Sequence, residues 1–393
     1  MANESPFLIF KVECPVCKTI NEFEQIKVGA YVEGGRDTDF CPREIQWRFP
    51  KYQAYNPLVF FTATCSNCFY TREFTSKYRE WKTDTAFRTY QLKTLKARHL
   101  EQLSVADSIV RKLGEAIDVS RYPNESALLR IHLAIFDALQ AEHPSHLDVG
   151  RFYLRIAWVL RTMDSGSDPN LAVLSGLVRD IDGKSARLES AIAESQKCLD
   201  ALVESVKVQF GASNLSTELQ SQMFAYRDRH DQHLGNLNQN IAKTRDTHTE
   251  FRTLMNEYRD AVLGVRSNQG QPTFGEHASL SDFLLKLQPH WNGIASSEHE
   301  ALEQSIRYYK QAFAGGREID AGNQQIQASY LIAELSRRIG DYDGAKQYFT
   351  ITIKAGQEFI YQNRQDQSRT QLARKILELA IEQGRANLQA AKA

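Results

Sequence analysis

Two cysteine pairs near the start of the chain, Cys14-Pro-Val-Cys17 and Cys65-Ser-Asn-Cys68, have a spacing that turns two thiolates towards one point. Facing each other, two such knuckles complete a tetrahedral all-sulfur site. Zn2+ suits that site because soft thiolates bind it well and it brings no redox chemistry. Four protein ligands leave no position for water, so the expected site (Cys14, Cys17, Cys65 and Cys68) is structural. Iron has the same ligands open to it. A redox dithiol is a third reading, and it requires the two pairs to lie apart. The 47 residues between the pairs exceed the span of a compact zinc ribbon. Cys41 falls in that interval, either as a small buried side chain or as a thiol that exchanges with the site or senses oxidation. Cys198 is far away and reads as inert.

Asp37 and Asp39 are the other residues whose spacing suggests chemistry. On a strand they share a face, where two carboxylates serve as acid and base or hold a cation. The plainer reading has Asp37 capping a turn and Asp39 paired with Arg36 or a backbone amide. No histidine or nucleophile completes a catalytic set. The chain has no Gly-rich phosphate loop, no serine elbow and no helical His pair with a Glu between. His230-Asp-Gln-His233 has i, i+3 spacing without further ligands nearby.

The elements that would carry these residues follow from pattern. Residues 1–75 alternate apolar stretches such as Phe7-Leu-Ile-Phe-Lys-Val12 with turn formers such as Gly34-Gly35 and Asn56-Pro57, which predicts a small β-rich module. From Ser76 the periodicity becomes helical, with Tyr78, Trp81, Phe87, Tyr90, Leu92 and Leu95 on a helix leading out of the module. Ser126–Gln140 and Asp148–Met163 are strong helices separated by His143-Pro-Ser-His146. Over residues 170–263, two rows at seven-residue multiples form heptad seams: Leu174, Ile181, Leu188 and Leu202, and Val178, Ile192, Leu199 and Val206. A long antiparallel coiled-coil hairpin is expected there, with a dimeric coiled coil as the rival. Residues 264–282 read as loop, and the last hundred residues as helical again.

With 393 residues and 48 basic against 48 acidic side chains, the formal charge is zero. That length predicts two or three domains and ample core. Composition excludes wholesale disorder, a collagen-like chain and a histone-like tail. Nowhere do 18 consecutive apolar residues occur, and no signal peptide precedes the first pair, so the cytoplasm is the expected compartment. Cysteine clustering without a signal favours metal over disulfides.

The stretch Arg36-Asp-Thr-Asp-Phe-Cys41, with Tyr55-Asn-Pro57, Cys14-Pro-x-Cys17 and Cys65-x-x-Cys68-x-Tyr70, resembles the bacterial DUF2225 family over residues 10–165 and 300–360. The resemblance implies a cysteine module followed by tetratricopeptide-like helices, and it implies no activity. Phe69 departs from it, since the family tends to place Gly there, where the turn after a knuckle is easily relaxed.

The residues also carry the repeat reading directly. Gly340-Asp-Tyr342-Asp-Gly-Ala345-Lys-Gln-Tyr-Phe349 matches the turn and second helix of a tetratricopeptide repeat (TPR), with Ile332-Ala333 as the paired large and small positions of its first helix. Ser305–Phe313 resembles a second helix and Ile156-Ala157 a first one. Ser329 and Ser336 depart from the usual Trp and Tyr. A helix over Gln365–Ala390 would cap the stack.

The expected fold is therefore mainly α: a zinc-ribbon-like module (1–75), a TPR-like helical region (76–165), an inserted coiled-coil hairpin (166–263) and TPR-like repeats (283–393). A stacked-helix surface takes a protein or peptide, and Arg337, Arg338, Lys346 and Lys354 either meet an acidic partner or form solvated faces. The leading function is a non-enzymatic interaction scaffold with structural zinc. Homodimerisation through the coiled coil goes with the rival geometry. The alternative is nucleic-acid binding through residues 70–100, where eight basic residues interleave with aromatics suited to stacking. A thiol or carboxylate enzyme at Cys41, Asp37 or Asp39 is the lesser alternative.

Overall fold

Three antiparallel β-hairpins open the chain: β1 (Phe7–Glu13) with β2 (Ile20–Ile26), β3 (Tyr31–Arg36) with β4 (Pro42–Trp47), and β5 (Thr62–Thr64) with β6 (Thr71–Glu73). The computed structural model describes residues 5–53, 55–164, 216–269 and 274–391, with isolated positions between 190 and 208. A two-stranded ribbon is marginal alone, so each hairpin needs an external tie. The first and third are tied at their tips by cysteine. The second is anchored at its open end by an aromatic cluster: Phe7 packs on Phe60 at 4.4 Å and on Tyr52 at 5.0 Å between ring centroids, and the Trp47 indole donates to the Tyr55 carbonyl at 2.8 Å.

Helices follow from residue 76. They are α1 (Ser76–Arg79), a π-helical turn over Phe87–Gln91, α2 (Leu92–Ser104), α3 (Ile109–Glu115), α4 (Pro123–Leu139) and α5 (His146–Asp164). The single expected helix after Ser76 is thus broken into shorter pieces, because Tyr78, Trp81, Phe87 and Leu95 all turn inward onto the cysteine hairpins. Helix α4 begins at Pro123, earlier than its apolar periodicity suggested, as proline suits a first helical turn. Leu128, Leu129, Ile131, Leu133 and Ile135 are all fully buried, so α4 is enclosed on every side. Its neighbours are β5, β6, α3 and α5.

After the insertion and its helix α6 (Thr217–Gln269) come α7 (Leu280–Leu287), α8 (Glu298–Gly315), α9 (Asn323–Arg338), α10 (Tyr342–Gln362) and α11 (Gln367–Ala390). They pack in order: α5 on α8, α8 on α9, α9 on α10 and α10 on α11. The side chains of Ser297, Asp341 and Asp366 cap α8, α10 and α11 by accepting from backbone N–H groups three residues on. Gly340, at φ +84°, ends the α9 segment in the left-handed turn that glycine adopts freely.

The chain divides into two units, residues 1–165 with 272–393, and residues 166–271. The second contains α6 (Thr217–Gln269), a 53-residue helix that spans roughly 80 Å. Phe251 and Leu254 are exposed on it. The helix overruns Gly264, where a loop was expected to begin. Glycine costs a helix interior only about 1 kcal/mol, and Ala261-Val-Leu263 and Val265 flank it. The heptad rows from Leu174 to Val206, and Cys198, lie outside the described residues.

Candidate metal centre

Each cysteine pair sits at a hairpin tip with the same backbone. In the first, the Cys14 N–H donates to the Thr19 carbonyl at 2.8 Å and the Lys18 N–H to the Cys14 carbonyl at 3.0 Å. In the third hairpin, the Cys65 N–H donates to the Tyr70 carbonyl at 2.9 Å and the Phe69 N–H to the Cys65 carbonyl at 3.0 Å. The residue after each pair, Lys18 or Phe69, takes a left-handed φ of +68° or +62°. That reversal lets both thiols of a pair point forward together.

The two tips face each other and bring all four sulfurs within 4.8 Å of one another. Cys14 Sγ lies 3.7 Å from Cys68 Sγ, and Cys17 Sγ lies 3.5 Å from Cys65 Sγ. These are far beyond a disulfide bond of about 2.05 Å. They are close to the edge of about 3.8 Å of a tetrahedron with metal–sulfur bonds of about 2.3 Å. Cys14, Cys65 and Cys68 are fully buried. Thiolates held this close and this dry repel one another unless a cation lies between them. The donor set therefore fits a metal ion with no position left over for substrate.

The surrounding groups hold the sulfurs in place. The Asn21 amide donates to Cys65 Sγ at 3.4 Å and to the Thr19 carbonyl at 3.0 Å, while its oxygen accepts from the Ser66 N–H and hydroxyl, both at 2.9 Å. One side chain thus staples the two knuckles together. Behind the site, His99 Nε2 donates to the Cys68 carbonyl at 2.8 Å, and Nδ1 lies 2.6 Å from the Asp137 carboxylate. Asp137 also accepts from the Thr71 N–H at 2.7 Å, so α2 and α4 are fastened to the third hairpin. Burial opposes a charged ring, but Asp137 and the Cys68 carbonyl outweigh it and raise the pKa of His99. Sequence reasoning missed His99, Asp137 and Asn21, none of which shares a motif with the cysteines.

Phe69 shows why glycine would suit its position, since a left-handed conformation costs a branched backbone about 1–2 kcal/mol. Its ring is pressed against α3 at Gly114, where an added Cβ would collide with the Phe69 ring. Gly114→Ala should therefore force this contact apart and destabilise the protein by about 1–3 kcal/mol, measured by urea denaturation. An unchanged midpoint would contradict the packing account of Phe69.

Asp37 and Asp39 do not lie on a strand. They occupy the turn between β3 and β4, where the Phe40 N–H donates to the Asp37 carbonyl at 2.9 Å and Phe40 takes φ +68°. Asp39 is fully buried and accepts from the Cys41 N–H at 3.2 Å. Its charge partner is Arg161 of α5, which holds both carboxylate oxygens at 2.7 and 3.2 Å. Arg36 pairs with Glu33. Asp37 meets Arg338 of α9 at 2.9 Å and Arg161 at 3.4 Å. Burial raises the Asp37 carboxyl, but the Arg338 and Arg161 charges and the Thr38 N–H bring it below the usual range. Glu298 takes the remaining edge of Arg161 at 2.7 Å, and Glu334 binds Arg337 and Arg338 at 2.7 and 3.0 Å. With Arg43 also on Asp37 at 3.5 Å, four carboxylates meet four guanidinium groups, so Arg337 and Arg338 are spent within the chain, whereas Lys346 and Lys354 are exposed.

Cys41 is buried and stands outside the four-sulfur group. Burial and the nearby Asp39 charge push its thiol up to about 12, which leaves little reactive thiolate. In the basic segment 70–100, Tyr70, Tyr78, Trp81 and Phe87 are core residues, and Tyr90 is exposed.

A family model described as "Uncharacterized protein conserved in bacteria (DUF2225)" matches residues 9–175 and 281–376. The chain belongs to the DUF2225 family. Both matched blocks lie almost wholly in the first unit, and the residues between them contain most of the second. Cys14, Cys17, Cys65 and Cys68 of this DUF2225 protein fall within the match, as do Asp37, Asp39, Arg161 and Arg338. No curated protein matches the chain. No solved structure matches it either. Among the described residues, no helix is long and apolar enough to cross a membrane.

Proposed function

We propose that this protein is a non-enzymatic interaction scaffold: a module closed by structural Zn2+ joined to TPR-like helices that receive a peptide of a partner protein. The observation that carries the reading is a repeated packing code. In α8, Ser305, Tyr309 and Ala312 are buried in a small–aromatic–small series at i, i+4 and i+7. In α10, Ala345, Phe349 and Thr352 repeat it. Their mates α5 and α9 each contribute a buried Ile-Ala pair, Ile156-Ala157 and Ile332-Ala333. The same solution used twice by successive helix pairs supports a stack of repeats, whose exposed flank typically binds extended segments. The long insertion separates α5 from α8 and fits an appended coiled-coil arm. Four ligands with no open position support a structural role for the metal, and zinc suits four thiolates better than other common divalent ions.

The test is purification of the tagged full chain from its native cells, with metal analysis and nuclease treatment. One zinc per chain and a near-stoichiometric protein that survives nuclease support the scaffold. Salt-sensitive RNA or DNA without such a protein overturns it in favour of nucleic-acid binding, a reading in which Tyr90, but not the buried rings, is available to stack.

A further inference from the structure

The β3–β4 turn is held by the helices as a bound ligand would be. Thr38 accepts at its carbonyl from the Tyr330 hydroxyl at 2.7 Å, its own hydroxyl donates to Glu334, and Arg338 reaches that hydroxyl at 2.8 Å. Trp158 donates from its indole to Asp39 at 3.3 Å, beside the paired bonds from Arg161. Phe40 lies 5.5 Å from the Tyr330 ring and packs against both helical cores.

Of the residues that make these contacts, Trp158 and Glu334 occupy matching places on two helices, while the arginines Arg161 and Arg338 stand one position apart in register. With Ile156-Ala157 of α5 aligned on Ile332-Ala333 of α9, Trp158 corresponds to Glu334 and Arg161 to Arg337, which stands next to Arg338. The turn therefore lies along the flank that the first helix of each pair presents. We infer that this flank, built by Trp158 and Arg161 of α5 with Tyr330, Glu334 and Arg338 of α9, is a recognition site for an acidic turn, and that the chain's own Asp37–Phe40 segment fills it. The inference rests on the peptide-binding reading above and names the partner's chemistry. That partner presents two carboxylates two residues apart, a hydroxyl between them and an aromatic ring after them. Arg161 and Arg338 demand the carboxylates. Glu334, fully buried, demands a donor at the middle position and repels a third acid there. A partner must displace a segment tethered at high local concentration, so the intact protein binds such peptides weakly until the turn withdraws.

The test uses the full chain carrying Asp37→Ser, Thr38→Ala, Asp39→Ser and Phe40→Gly together, which removes the side chains that fill the flank and leaves every cysteine in place. The probe is a labelled synthetic peptide spanning residues 35–42, compared by fluorescence anisotropy with the same peptide carrying Asn at both Asp positions. The emptied protein is expected to bind the native peptide at least about tenfold more tightly than the wild type does, and at least about tenfold more tightly than it binds the Asn peptide. An emptied protein with normal helicity and metal content that binds both peptides equally overturns the proposal. Should the variant not fold alone, the native peptide present during refolding is expected to restore its helicity, and failure to do so also overturns it. If the peptide binds as expected but neither form retains a host protein, the scaffold reading fails while the recognition site stands. If both forms retain a host protein equally and the peptide does not compete, the site fails while the scaffold stands.

Discussion

Replacing Cys65 with serine should reduce bound metal from about one ion per chain to under a tenth and unfold the hairpin module. A serine hydroxyl stays protonated at neutral pH and is a poor, hard ligand, so three sulfurs would have to hold the ion alone. The apolar cluster around the site includes Cys14, Cys65 and Cys68 themselves, so the two tips lose their central link once the ion leaves. Structural zinc contributes on the order of 10–16 kcal/mol to small domains that bind it. The cores of α4, α5 and α8 to α11 contain none of the four cysteines, so most of the helical signal should survive. Metal analysis with circular dichroism reads both parts, and stoichiometric metal in the variant would refute the four-sulfur assignment.

The second large effect concerns Asp39. Asparagine keeps its shape and can still accept from the Cys41 N–H, but it leaves Arg161 without its closest buried countercharge. Breaking a buried pair from one side costs about 3–5 kcal/mol, because the surviving charge stays desolvated. Asp39→Asn should lower unfolding free energy by about that amount in a chemical denaturation series. A cycle with Arg161→Met should give a coupling towards the top of the roughly 0.5–3 kcal/mol seen for neighbouring residues. Arg36→Gln, which removes an exposed pair with Glu33, should stay within about 1 kcal/mol of wild type. A coupling below about 0.5 kcal/mol, or an Arg36 effect larger than that of Asp39, would reject this account of the turn.

The contrast between these two sites shows what a sequence reveals. Chelation by a hairpin tip requires two cysteines at fixed local spacing, so both knuckles were readable from the string of residues. The β3–β4 turn was readable in part, as a turn at Asp37 with a backbone amide for Asp39, but its charge partners were not, because Arg161 and Arg338 lie on α5 and α9, far along the chain, and ion pairing leaves no periodic trace. For the same reason Arg337 and Arg338 looked like solvated or partner-facing charges. Tyr78, Trp81 and Phe87 satisfied two patterns at once, a stacking surface and a helix face, and only their burial separates the two. Helices with one-sided or complete apolar burial, α4 and α5 above all, were found within a few residues. The overrun of α6 past Gly264 was missed because a single glycine is a weak stop.

The place of the insertion bears on how the protein emerges from the ribosome. Val149, Phe152, Tyr153, Ile156 and Leu160 of α5 are buried in a core shared with α8, which starts roughly 130 residues further along the chain. At about 5–20 residues per second, α5 is made on the order of ten seconds before the helix that covers it. During that interval its apolar face is open to the cellular milieu, and the acidic turn at Asp37 waits longer still for Arg338. Synthesis of this chain thus has a built-in period in which α5 has α4 beside it but not yet the helix that completes its core.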